Sequence, residues 1–144
     1  MAITKARGFT LIELLIVIAV IALGTAGVAL AMRDSGQTSL EREALRLAAL
    51  LDTARGQSRT SGTVVTWQAV QDDGAAPAMR WRGLRGKEPL PTAWLDSQTL
   101  VLTKAVVVLG PDPVIAPVRV SLTNGSESRD VVTDGVGAFW VEPK

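Results

Sequence analysis

The sequence predicts an α+β protein: a long N-terminal hydrophobic helix packed on a small antiparallel β-sheet domain. Three observations carry that expectation. From Leu14 to Met32 the only polar side chain is Thr25. Beyond it, Leu40, Ala44, Leu47, Leu51 and Ala54 recur at spacings of three and four, which marks one helical face. From Thr63 onward, short β-branched and aromatic runs alternate with Gly, Pro and Asp. That is the punctuation of antiparallel strands rather than of βαβ crossovers.

Composition narrows the function classes. The chain has 144 residues, 47% of them hydrophobic and 20% charged, which suits one modest domain with an appendage. Cysteine is absent, so disulfides, thiolate metal sites and cysteine nucleophiles are excluded. Histidine is absent too, which removes the commonest general base and metal ligand. The formal net charge is +1, and the part from Arg33 onward is balanced, with no global field to steer a nucleic acid.

Met1–Gly8 is short and basic, with Lys5 and Arg7 just ahead of the apolar run. About 20 helical residues, each rising about 1.5 Å, span roughly the 30 Å of a bilayer core. The leading cations favour an N-in orientation, with the remainder outside the cytoplasm. Two ordinary readings fit these features. One is a secretory signal peptide with Ala29-Leu30-Ala31 as its small-residue cut site; the other is a plain membrane anchor. Glu13 sits where neither needs it. A carboxylate in an apolar span needs a partner, and no basic residue lies three or four positions away in this helix. Its partner is expected on another molecule or at a free terminus, which points to assembly.

Gly8-Phe9-Thr10-Leu11-Ile12-Glu13, followed by Leu14-Leu15-Ile16-Val17, closely resembles the class III signal of type IV pilins and type II secretion pseudopilins. The resemblance implies a prepilin peptidase that cuts after Gly8 and methylates the new amino terminus at Phe9. It implies that Glu13 pairs with the terminal amine of a neighbouring subunit and sets axial register in a filament. An ammonium and a carboxylate compensate each other's desolvation in an apolar bundle, which agrees with that role. Major pilins of this kind carry a proline midway along the helix; here that neighbourhood reads Val28-Ala29-Leu30.

The organisation expected is then a leader over 1–8, a transmembrane or filament-core helix over 9–32, an amphipathic helix over 33–62 and a β-rich periplasmic domain over 63–144. Thr38 and Glu41 have capping-box spacing, and Gly36 weakens a continuous helix by about 1 kcal/mol. One rod to about Thr60 and two segments joined near Ser35-Gly36 are both compatible with that, and the resemblance favours the rod. Gly62 is the expected stop. Glu41, Arg42, Arg46 and Arg55 are assigned to the polar side of this helix.

Strands are expected over 63–70, 79–82, 99–102, 105–109, 118–122, 131–133 and 139–141, forming one or two sheets. Asn124-Gly125 and Asp134-Gly135 are turn dipeptides. Pro89, Pro91, Pro111, Pro113 and Pro117 mark loops or edges. Trp67, Trp94 and Trp140 read as core or interface anchors. In size and strand-rich character, and in the passage through Ala54-Arg55-Gly56-Gln57-Ser58, this part resembles the GspH/FimT family of minor pseudopilins.

Arg80, Trp81, Arg82, Arg85 and Lys87 form the most basic local run. Arginines flanking an aromatic can grip phosphates and stack a base, and some FimT-like minor pilins bind DNA during uptake. The strand alternation favours a blander arrangement, with Met79 and Trp81 inward and Arg80 and Arg82 in water. DNA-binding members carry an arginine-containing motif near the C-terminus, whereas 135–144 holds no Arg. Asp72-Asp73-Gly74 supplies too few oxygens for calcium and reads as a solvated turn. Asp96, Asp130 and Asp134 form no acid/base pair, and Ser58 and Thr60 have no nominated base. No catalytic group, metal or cofactor is expected.

The resulting expectation is a minor pseudopilin of a type II secretion system, with its N-terminus cytoplasmic, one pass through a bacterial inner membrane and its C-terminal domain periplasmic. Its expected partners are major and minor pseudopilins, prepilin peptidase, the secretion assembly platform and the membrane, with nucleic acid disfavoured. The alternatives are a FimT-like type IV pilus minor pilin that binds DNA, and an exported β-domain with an ordinary signal peptide.

Overall fold

A computed structural model describes residues 10–71, 76–86, 88–104 and 106–143, and the side chains of 10–23 and of the described residues from 37 onward. Helix α1 runs Leu11–Ser61, and Gly36 and Thr38 are helical within it. It stops where Gly62 takes a left-handed φ of 62°, a backbone that side-chain-bearing residues avoid. The chain divides into two compact units, Met1–Ser35 and Gly36–Lys144.

In the second unit the described residues form, after the helix, seven strands: β1 Thr66–Val70, β2 Ala78–Arg82, β3 Leu100–Val101, β4 Val107–Val108, β5 Val118–Thr123, β6 Ser128–Thr133 and β7 Trp140–Val141. They form a three-stranded sheet in the order β2-β1-β4 and a four-stranded sheet in the order β3-β5-β6-β7. Every pairing is antiparallel. The α+β class with antiparallel sheets is therefore as the sequence predicts. Pro89, Pro91, Pro111, Pro113 and Pro117 fall between the strands, and Asn124-Gly125 opens the β5–β6 hairpin.

The leucine stripe is the core. Leu40, Ala44, Leu47, Leu51 and Ala54 are buried against Trp67, Val107, Leu109, Val120, Leu122 and Val131. Each buried large aliphatic side chain contributes about 1.5–3 kcal/mol. Trp67 and Trp94 join this core, with Trp81 packed against it. Trp140, expected as an anchor, is 45% exposed at the sheet's short last strand.

Arg55 departs from the expected polar side of the helix. It is buried, and its guanidinium donates to the carbonyls of Gly135 and Gly137 at 2.6 Å each, of Pro113 at 3.0 Å and of Val136 at 3.3 Å. Three-residue spacing from Asp52 and Ser58 puts it on the helix flank facing these loops, where carbonyls at a turn need donors. Burial lowers its pKa and neighbouring Arg59 adds to that, while Asp52 and Asp134 oppose. Arginine stays protonated through such a shift.

Other polar tethers sit on the same helix. Glu43, almost fully buried, accepts from the backbone N–H groups of Leu95 at 2.7 Å and Asp96 at 3.2 Å and pairs with Arg46 at 3.0 Å. Asp52 accepts from the Phe139 N–H at 3.2 Å. Ser58 donates to the Thr63 carbonyl at 2.7 Å. Gly135, at φ 91°, lies so close to Ile115 that an added Cβ would stand 2.0 Å from its carbonyl oxygen.

Candidate functional site

The N-terminal candidate begins at Thr10. The Glu13 N–H donates to the Thr10 hydroxyl at 3.3 Å and to its carbonyl at 3.1 Å, and the Leu14 N–H reaches that carbonyl at 3.2 Å. Thr10 is thus the N-cap of α1, and Glu13 stands in its first turn, where the helix dipole favours a carboxylate. The Thr10-x-x-Glu13 spacing of a capping box was present in the sequence and is the signal that identifies this cap. Gly8 and Phe9 lie outside the described residues.

From Leu11 to Leu23 every residue is exposed, on all sides of the helix. Glu13 is the one charged side chain in that stretch. Among the described residues no cation pairs with it. A helix apolar all round finds its stable setting inside a larger packed assembly or a bilayer. Among the described residues no helix is long and apolar enough to cross a membrane. The span expected over 9–32 includes Phe9 and side chains from 24 onward, which are not among them.

The basic run of the second unit is split by the sheet. Arg80 and Arg82 are exposed on the outer face of β2, whereas Met79 is buried on the inner face. Trp81 lies with Met79: its ring is 6.4 Å from that of Trp67, and its Nε1–H donates to the Pro91 carbonyl at 2.9 Å. Strand alternation therefore turns Arg80 and Arg82 away from the Trp81 ring, although Arg80 and Trp81 both line a cavity of about 660 Å³ beside β2. Arg85 is exposed in the following loop, and Lys87 and Asp72-Asp73-Gly74 lie outside the described residues. Among the described residues no cluster of metal-ligating side chains occurs.

Acidic groups elsewhere serve structure. Arg119 pairs with both Asp130 and Glu142 across β5, β6 and the chain after β7, and these contacts raise its pKa. The hydrogen bond from Arg119 lowers the Glu142 pKa. Backbone N–H groups of Gly137 and Val136 lower that of Asp134.

Residues 3–29 match the family model described as the prokaryotic N-terminal methylation motif. No curated protein and no solved structure matches the chain significantly. The matched segment includes Gly8, Phe9 and Glu13 and runs into the uniformly apolar helix. The chain carries a prepilin-type N-terminal methylation motif, which supports a place in the type IV pilin-like class and implies processing by a prepilin peptidase and assembly with other pilins.

Proposed function

We propose that this chain is a minor pseudopilin of a type II secretion system, a structural subunit rather than an enzyme. One observation carries the reading: a methylation motif heads a helix that is apolar on every side and has Glu13 as its single charge from Leu11 to Leu23. Such a helix is stored in the inner membrane and withdrawn into a filament, where apolar faces associate by packing. Peptidase cleavage after Gly8 creates an ammonium at Phe9, and Glu13 of a neighbouring subunit receives it. A mismatched register leaves both charges desolvated and unpaired, so correct register is selected. The β-domain then stands on the periplasmic surface or tip.

The two antiparallel sheets following the helix favour the GspH/FimT branch within that class. The absence of arginine from 135–144, together with the inward Trp81 ring, favours secretion over DNA uptake. The second reading, a DNA-binding minor pilin, draws on the exposed Arg80 and Arg82.

The test is the intact mass and N-terminal sequence of the protein from membranes with and without prepilin peptidase. A chain starting at methylated Phe9 only when the peptidase is present supports the reading. A start at Met32 makes this an ordinary exported domain, and an uncut chain in both strains makes it a simple anchor. Loss of protein export on deletion, with DNA uptake intact, separates the secretion role from the pilus role.

A further inference from the structure

We propose that the outer face of the three-stranded sheet is a docking surface for an acidic amphipathic helix of another protein. The face is built from two cross-strand rows. Arg82, Thr66 and Val108 are register partners in one, and Arg80 pairs with Gln68 in the next, with Val106, just ahead of β4, lining the same depression. Directly opposite residues of an antiparallel pair share a face, so a cationic column on β2 runs parallel to an aliphatic column at β4, with a polar seam between them.

Both columns are open. Val106 is 53% and Val108 51% exposed, and Arg80 and Arg82 are exposed. A shallow depression of about 60 Å³ lies between Thr66, Gln68, Arg80, Arg82 and Val106. Among the described residues Arg80, Arg82 and Arg85 form no ion pair. Other arginines are engaged: Arg46, Arg119 and Arg129 meet carboxylates, and Arg55 and Arg59 donate to backbone carbonyls. A solvated sheet face is normally polar throughout. Half-exposed valines beside free arginines instead match the composition of a protein interface, where aliphatic contact is bordered by arginine.

Charge complementarity and spacing select the occupant. Arg80 and Arg82 are two residues apart on one strand, about 6.8 Å along it. Carboxylates at i and i+4 of a helix stand at Cβ separations of about 5–6 Å, close enough to meet both guanidinium groups. The two columns are two strand spacings apart, about 9.6 Å, and a helix is about 10 Å across, so its apolar edge reaches the valines. Nucleic acid fits less well: the face holds no aromatic platform for a base, and a phosphodiester chain offers nothing to the valines. A second copy fits less well too, because no two carboxylates of helix α1 stand four residues apart, and its Glu41 and Glu43 are already paired with arginines.

The experiment places the photo-crosslinking residue p-benzoylphenylalanine at Gln68 in the full-length chain, in cells that make it, with Ser126 as control position. The expected adduct is with a protein, mapping by mass spectrometry to an amphipathic segment with acidic residues four apart. Arg80→Glu with Arg82→Glu should lower its yield at least about tenfold, a change of about 1.4 kcal/mol. Lysine at the mapped carboxylates of the partner should restore it. Arg80→Lys with Arg82→Lys should keep most of the adduct, which separates charge from folding, and Val106→Ser with Val108→Ser should lower it. No adduct above the Ser126 control, adducts with nucleic acid or lipid, mapping to a segment without carboxylates, or a yield indifferent to charge reversal would each overturn the proposal. Mass of the N-terminus in the same harvest reports processing independently.

Discussion

Replacing Arg55 tests how the helix is fastened to the sheets. In Arg55→Ala the guanidinium is lost and the carbonyls of Gly135, Gly137 and Pro113 lose a donor, two of them bonded at 2.6 Å. A hydrogen bond to a charged group contributes about 1.5–3 kcal/mol, and a buried acceptor left unsatisfied costs about 1–3 kcal/mol. Burial of the guanidinium itself is unfavourable and offsets part of this. The net expected loss is about 3–4 kcal/mol, which for a domain of this size lowers Tm by roughly 10–20 °C. Arg55→Lys should lose about half as much, because one ammonium cannot span the fork of carbonyls. The assay is thermal unfolding of the full chain in detergent, followed by the emission of buried Trp67 and Trp94. If Arg55→Ala shifts Tm by less than about 3 °C, or Arg55→Met restores the stability of the parent, the clamp is not what joins these loops to the helix.

Further expectations follow from the same geometry. Gly135→Ala should cost at least about 2 kcal/mol by denaturant unfolding, since its Cβ would strike the Ile115 carbonyl at a left-handed backbone position. Glu43→Ala, which strips the Leu95 and Asp96 N–H groups of their acceptor, should cost about 2–3 kcal/mol and expose the 95–98 loop to proteolysis. Asp134 and Glu142 have pKa values lowered by folding, so their contribution is complete above the ordinary carboxylate range. It is lost as pH falls through that range towards the lowered folded values; acid titration of Tm should show this, and Asp134→Asn should flatten the slope. Glu13→Ala should leave cleavage after Gly8 intact while reducing incorporation into filaments, measured by shearing and immunoblot; undiminished incorporation would refute the register role.

Much of the fold was legible because burial imposes a period. Leu40 to Ala54 could be read as one buried face from spacing alone, and 118–122 and 131–133 from β-branched runs on either side of Asn124-Gly125, although β6 begins three residues earlier, at Ser128. Arg55, Glu43 and Asp52 were not legible as tethers. A charged residue on a helix is solvated by default, and the partners that reverse that default are carbonyls and N–H groups of loops 52 to 87 residues away, which have no side-chain signature. The motif around Gly8, Phe9 and Glu13 was legible because it is local and chemically unusual. The split of Arg80 and Arg82 from Trp81 followed from strand alternation, but the valine column beside them depended on the β1–β4 pairing, which only the register reveals.

The Arg55 clamp also sets an order of events. Its carbonyl partners at 135 and 137 are 80 and 82 residues downstream of it, and Asp52 waits for the Phe139 amide across 87. Until those carbonyls arrive the Arg55 guanidinium keeps its hydrogen bonds to water, so the helix flank around Arg55 closes only after the last strands have been delivered. Contacts of such sequence separation slow folding through the loop entropy that must be overcome first. During that interval this flank stays open to holding by a chaperone or to pairing with another chain, and the closing residues near Phe139 act as the latch that ends it.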